Sequence, residues 1–354
     1  MSETRIAQLI EELGSGHPIT ITNDGFLMVI VPKDENGSAV DSTLFQRSAH
    51  LLVELTELAG GIALRGFRVD AVEDYEKLMV GAFGLKSVYA EDTSKSRVLA
   101  QADREYRANG SVLNLPSAQP ELQGPHIELG WRTRRARYLS IWAETPPQVA
   151  GETALFDMNA VYLSLDEDIR RMFDRYPSMY PAYGERIWLD SVLVHPRTQK
   201  RCLHLWYYES PLADLAVESY KKTEHYKQST VQDVKPMVAL NSPLKHQFLV
   251  DDKLVSLTDE QKRRMLDCAY SHAQYWSWKK GDVLLIDNIS LAHGRMPSVP
   301  PRRLVGGYWN ETDTRAYGLE PGASDDCVSV RELKPSVGMA TKILGKFVTG
   351  RLRV

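Results

Sequence analysis

Two short segments far apart in the chain set the strictest condition on its fold. Pro125-His126-Ile127-Glu128-Leu129 carries an imidazole and a carboxylate two positions apart, and Leu291-Ala292-His293-Gly294-Arg295 supplies a second histidine far downstream. On a strand, residues i and i+2 point to the same face. His126 and Glu128 can therefore aim at one point, and a fold that brings His293 back to that point assembles two histidines and one carboxylate. Such a ligand set leaves coordination positions open, as a non-heme Fe(II) oxygenase requires. His-x-Glu alone is a common tripeptide, so the weight rests on the surroundings of both segments.

Gly281-Asp282 reads as a turn opening a buried apolar strand, Val283-Leu284-Leu285-Ile286, which ends at Asp287-Asn288 close to His293. Beyond it, Arg302-Arg303-Leu304-Val305-Gly306-Gly307-Tyr308-Trp309 reads as another strand. A metal histidine and an arginine on neighbouring strands can hold a dicarboxylate, the ion taking one end and the guanidinium the other in a two-pronged bond. Arg302 and Arg303 face opposite sides of a strand, so only one of them can do this.

Several ordered stretches resemble the taurine dioxygenase/TfdA-like family of Fe(II)/2-oxoglutarate-dependent oxygenases, which has γ-butyrobetaine hydroxylase and clavaminate synthase relatives. Leu64-Arg65-Gly66-Phe67 resembles its early RGF strand, His126-Ile127-Glu128 its His-x-Asp/Glu, and Gly151-Glu152-Thr153 through Phe156-Asp157 its GGET stretch. Val194-His195-Pro196-Arg197-Thr198 is similar to its HPxTG turn. Trp278 through Asp282, Asp287-Asn288, His293-Gly294-Arg295 and Arg302 resemble its closing run. The resemblance spans roughly residues 60 to 310. Departures are Glu128 where many members have Asp, Ala150 where the first of two glycines often stands, and Gly306 where many relatives carry a second arginine.

The resemblance implies a mainly β fold with flanking helices, a double-stranded β-helix (jelly roll) core with helices packed on one sheet. It implies Fe(II) on His126, Glu128 and His293, 2-oxoglutarate as co-substrate, and O2 as oxidant. Arg302 or Arg303 would bind the far carboxylate of 2-oxoglutarate, Arg302 fitting the family pattern better, and Thr153 would donate a hydrogen bond to it. Succinate and CO2 would be co-products. Hydroxylation of a small, amino-acid-like or natural-product substrate is the default outcome; desaturation and ring closure use the same oxidant. Glu128 speaks against halogenation, because a halide needs the position the carboxylate fills.

The chain has 354 residues, 43% hydrophobic and 25% charged, with ample apolar material for a large core. It reads as a single domain over 1–354, with a core at about 60–310, an N-terminal extension over 1–59 and a tail over 311–354. A formal net charge of −3 gives no field to attract nucleic acid or membrane. Cys202, Cys268 and Cys327 lack metal-type spacing and suit a reducing compartment. With a polar start and no long apolar run, a cytoplasmic enzyme acting on a small molecule is expected, and its oligomeric state stays open.

Along the chain, Ile6, Ile10 and Leu13 predict a short helix, Asn23-Asp24-Gly25 a turn between two strands, and Val40 to Leu58 a helix stopped by Gly60-Gly61. Residues 85–124 predict a long loop, 187–207 a hairpin turning at Pro196 to Gln199, and 210–250 an irregular insertion. Thr258-Asp259-Glu260-Gln261 predicts a capping box opening a helix to about Tyr275. Arg132, Arg134, Arg135 and Arg137, beside Trp131, read first as a solvated face; a sharper reading has them orient an anionic substrate. His195 and His204 read as structural, with His204 also within reach of a substrate.

Two other function classes fit less well. A metal-dependent jelly-roll hydrolase or isomerase that does without 2-oxoglutarate would use the same triad, but leaves Arg302 and Thr153 without a purpose. A catalytically silent binding module leaves the triad itself without one.

Overall fold

A computed structural model describes residues 2–33, 42–88, 106–107, 112–114, 121–130, 132–182, 185–205, 210–237 and 246–318. Two sheets face each other in a jelly-roll core. The larger has the strand order Ile19–Asp24, Leu27–Pro32, Gly61–Leu64, Val283–Asp287, Arg134–Thr145, Arg303–Asp313, Val112–Asn114, Tyr106–Arg107. The smaller has the order Lys235–Pro236, Glu121–His126, Leu291–Arg295, Thr153–Asp157, Ala273–Trp276. Both are mixed: Leu27–Pro32 runs parallel to Gly61–Leu64, and Lys235–Pro236 parallel to Glu121–His126.

The period of two in each strand decides what faces what. Leu139, Ile141, Leu284, Ile286, Leu304 and Tyr308 point inward from the large sheet and meet Leu155, Leu291 and Trp276 of the small one. Their neighbours Tyr138, Trp142, Val283, Leu285, Val305 and Trp309 point outward onto the N-terminal helices. Ala154, Phe156 and Ala292 point outward from the small sheet onto a second helical layer, Met158–Ser164 and Asp259–Ser271. Helices therefore cover both outer faces, not one as expected. No helix among the described residues is long and apolar enough to cross a membrane.

Local signals with an unambiguous chemistry hold. Gly25 makes the first turn at φ 65°, and Gly60 ends the Ser42–Ala59 helix at φ 112°. Thr258 and Gln261 form the reciprocal capping box, and Asp157 caps the next helix through Asn159 N (2.9 Å) and Ala160 N (3.0 Å). Other expectations fail. The Asp259–Ser271 helix stops before Tyr275, which belongs to a strand. Within 85–124, most of which lies outside the described residues, Tyr106–Arg107, Val112–Asn114 and the start of Glu121–His126 are strands rather than loop. The span 210–250 holds the helix Ser210–Lys221 and the strand Gln247–Val250, which extends the Ser178–Ala182/Glu185–Leu189 hairpin into a separate sheet. Few turn residues mark these pieces, and tertiary packing decides them. Trp131, Cys327 and the tail beyond 318 lie outside the described residues.

Candidate active site

Strand pairing brings the two histidines together. His126 ends the Glu121–His126 strand and stands directly opposite His293 of Leu291–Arg295. His293 shares the inward parity of Leu291, so both imidazoles enter the space between the sheets, with ring centroids 4.1 Å apart. Glu128 reaches the same point by another route than expected. It lies in a turn just past the strand, and Leu129 takes a positive φ of 55°. Its Oε2 stands 3.8 Å from His126 Nε2 and 3.7 Å from His293 Nε2. Ligand atoms of the three residues lie within 4.8 Å of one another, a spacing that fits one shared ion.

The protonation states suit ligation. His126 Nδ1 donates to Gly124 O at 3.0 Å, which leaves Nε2 unprotonated, with the Gln123 amide at 3.3 Å. Burial, and then the neighbouring His126, hold His293 well below the ordinary imidazole range, so it stays neutral. Asn288, fully buried, clamps the Glu128 backbone: Glu128 N donates to its Oδ1 (3.0 Å) and its Nδ2 donates to Glu128 O (3.0 Å). The same Nδ2 donates to Ala136 O at 2.9 Å, tying the turn to the large sheet.

A basic, buried wall lies beside the triad. Thr153 and Arg295 are register partners on adjacent strands, and both are buried. Arg302 is 6% exposed and precedes the Arg303–Asp313 strand. Burial, then Arg295, push its guanidinium down to about 9. Arg303 faces the other way: its side chain is 52% exposed and pairs with Glu144 at 2.7 Å. Trp278 Nε1 donates to Thr153 Oγ1 at 3.1 Å, so the threonine keeps its own hydroxyl proton for another acceptor.

The arginine cluster is not a solvated face. Arg134 alone fits that description, paired with Glu311 at the surface. Arg135 and Arg137 share the inward parity of Leu139 and are buried. Arg137 joins Asp287 and Glu57, while His195 Nε2 donates to Asp287 Oδ2 at 2.8 Å. His195 is structural, as expected: its Nδ1 accepts from Thr198 N at 3.0 Å. Among the described residues Arg135 hydrogen-bonds only to His204, which turns back to Gly130 O in the turn that carries Glu128. Composition alone hid this pair, because the alternation of the strand was not carried back through Arg135.

Against this geometry stand the comparisons with known proteins. The family model for taurine catabolism dioxygenase TauD, TfdA family, matches residues 33–308. A clavaminate synthase-like protein of Arabidopsis thaliana is 22% identical over 299 residues, covering 72% of this chain and 83% of its own length. PvcB, an Fe, alpha-ketoglutarate-dependent oxygenase from an isonitrile synthetic pathway, superposes with a TM-score of 0.54 at 15% identity, covering 82% of this chain and 91% of that one. A structure of PvcB from Pseudomonas aeruginosa gives 0.53 at the same identity and coverage. The chain belongs to the TauD/TfdA family and is an Fe(II)/2-oxoglutarate-dependent oxygenase.

Proposed function

We propose that this protein hydroxylates a C–H bond of a small molecule, with Fe(II) held by His126, Glu128 and His293 and with 2-oxoglutarate anchored by Arg302 and Thr153. The observation that carries this reading is the convergence of three ligand atoms within 4.8 Å at the inner face of the small sheet. Bound there, Fe(II) with 2-oxoglutarate and O2 supplies oxidation of an unactivated C–H bond, with succinate and CO2 released.

The chain's own residues place and bias that chemistry. Two neutral imidazoles and one carboxylate neutralise only part of a divalent charge, so the site draws an anionic chelator. Arg302 receives the far carboxylate in a dry setting, where the attraction is much stronger than in water. The Thr153 hydroxyl, accepting from Trp278, is left to donate to the same group. Arg303, paired with Glu144 at the surface, has no part in this.

The test is a panel of small molecules incubated with Fe(II), O2 and 2-oxoglutarate, read by mass spectrometry for a gain of one oxygen or a loss of two hydrogens, with succinate measured in parallel. Gain of oxygen coupled to succinate supports the reading. Arg302→Ala is expected to raise the 2-oxoglutarate KM about 100-fold, the loss of a buried charge-assisted pair worth about 3 kcal/mol. Turnover by the Zn(II)-loaded protein without 2-oxoglutarate would instead favour a hydrolase or isomerase.

A further inference from the structure

The turn that carries Glu128 does not hold itself. Two local backbone bonds close on it, Gly130 N to Ile127 O (3.0 Å) and Arg132 N to Leu129 O (2.9 Å), and neither involves Glu128; Leu129 sits in the left-handed region, which costs a bulky residue about 1–2 kcal/mol. Outside contacts must fix it. Asn288 clamps Glu128, and Leu205 O accepts from Ile127 N at 2.9 Å. At the far end, His204 Nε2 lies 2.5 Å from Gly130 O.

A carbonyl can only accept, so Nε2 of His204 carries a proton. Arg135 Nη1 lies 3.1 Å from both ring nitrogens of His204. Burial, and then the Arg135 charge, hold His204 well below the ordinary imidazole range, so the ring is neutral and Nδ1 is its one acceptor. A guanidinium can only donate. The Gly130 carbonyl therefore sets the tautomer, and Arg135 braces the ring within reach of its unprotonated Nδ1.

Stability does not explain this arrangement. Arg135 is fully buried, its Nε and Nη2 make no hydrogen bond, and it forms no ion pair among the described residues. Burying a cation this way costs several kcal/mol, whereas one hydrogen bond returns about 1–3. Among the described residues the histidine is the one partner this guanidinium bonds, and the histidine in turn bonds the turn that carries Glu128.

We propose that Arg135 and His204 are positioning residues for the metal centre: Arg135 braces the His204 ring, and His204, through its Nε2–H, pins the Gly130 end of the turn so that the Glu128 carboxylate stays within reach of both histidine Nε2 atoms. This rests on the metal reading of His126, Glu128 and His293 and extends it to their support.

Co(II) serves as the probe, titrated anaerobically by calorimetry and by its visible d–d absorption, alongside thermal unfolding of the metal-free protein. His204→Phe is expected to weaken Co(II) binding about 10–100-fold and to change the absorption band. His204→Gln, whose amide can still donate to Gly130 O, is expected to recover part of that loss. Arg135→Met is expected to weaken Co(II) several-fold while the metal-free melting temperature holds or rises; Arg135→Lys, retaining a donor, is expected to fall between. Wild-type affinity and spectrum in His204→Phe and Arg135→Met would overturn the proposal. So would affinity losses that merely follow losses of melting temperature. His126→Ala separates the two readings. If it abolishes binding while the other variants behave as wild type, only the positioning role fails; if the wild type binds no Co(II), both fail.

Discussion

Arg135 and Arg137 stand two residues apart on one strand and point to the same side, and both are buried, yet burial has opposite outcomes for them. Arg137 lies between Asp287 and Glu57, and although burial opposes its charge, Asp287 outweighs that and raises its pKa. Arg135 faces a neutral imidazole, and burial pushes it down to about 9. A buried cation is tolerated where a carboxylate meets it and costly where none does. The first arrangement ties Ser42–Ala59, through Glu57, to the strand end next to Asn288. The second contributes hydrogen-bond direction at the turn carrying Glu128, at a cost in stability.

The sharpest break of this contrast is Arg137→Met. It leaves Asp287 buried without its principal counter-charge, and urea unfolding is expected to show a loss of about 3–5 kcal/mol. Arg135→Met, equally buried, is expected to cost less than about 1 kcal/mol or to stabilise. Equal losses for the two would erase the distinction.

A pH titration of stability sharpens it. Burial would raise the Asp287 pKa, but Arg137 and then His195 outweigh that and hold the carboxyl below its ordinary range. A depressed folded pKa gives stability that is full above the unfolded carboxylate value of about 3.9 and is lost as pH falls toward the folded value. The wild type is therefore expected to lose stability below about pH 4, and Asp287→Asn to show a flatter acid limb from a lower plateau. Identical acid limbs would show that the Asp287 network does not govern this range.

The smallest effect belongs to the surface. Arg303→Ala breaks an ion pair with Glu144 whose arginine is half-exposed, and stability should change by less than about 1 kcal/mol with the 2-oxoglutarate KM unmoved. A KM shift like that of Arg302→Ala would mean that the wrong arginine has been assigned.

How far the sequence could be read follows the range of the interactions. Gly25, Gly60, Asp157 and Thr258 were legible because a turn or a cap is settled by a few adjacent residues. The convergence of His126, Glu128 and His293 is legible because few residue types can share one ion, a tighter restriction than packing imposes. The Glu128 turn was not, since a strand continued past His126 satisfies the same His-x-Glu spacing and only Leu129 and the Asn288 clamp bend the chain. The strands within 85–124 and the helix Ser210–Lys221 depend on distant partners that no local pattern announces. Arg135 breaks the rule that charge means exposure: the apolar alternation of Leu139 and Ile141 runs straight back to it, and it is buried.

The central claim is that His126, Glu128 and His293 share a single ferrous ion. Anaerobic equilibrium dialysis with Fe(II) tests it directly. One ion per chain in the wild type, with binding lost in His126→Ala and His293→Ala variants that keep the wild-type melting temperature, is the predicted result; unchanged stoichiometry and affinity in both variants would contradict it.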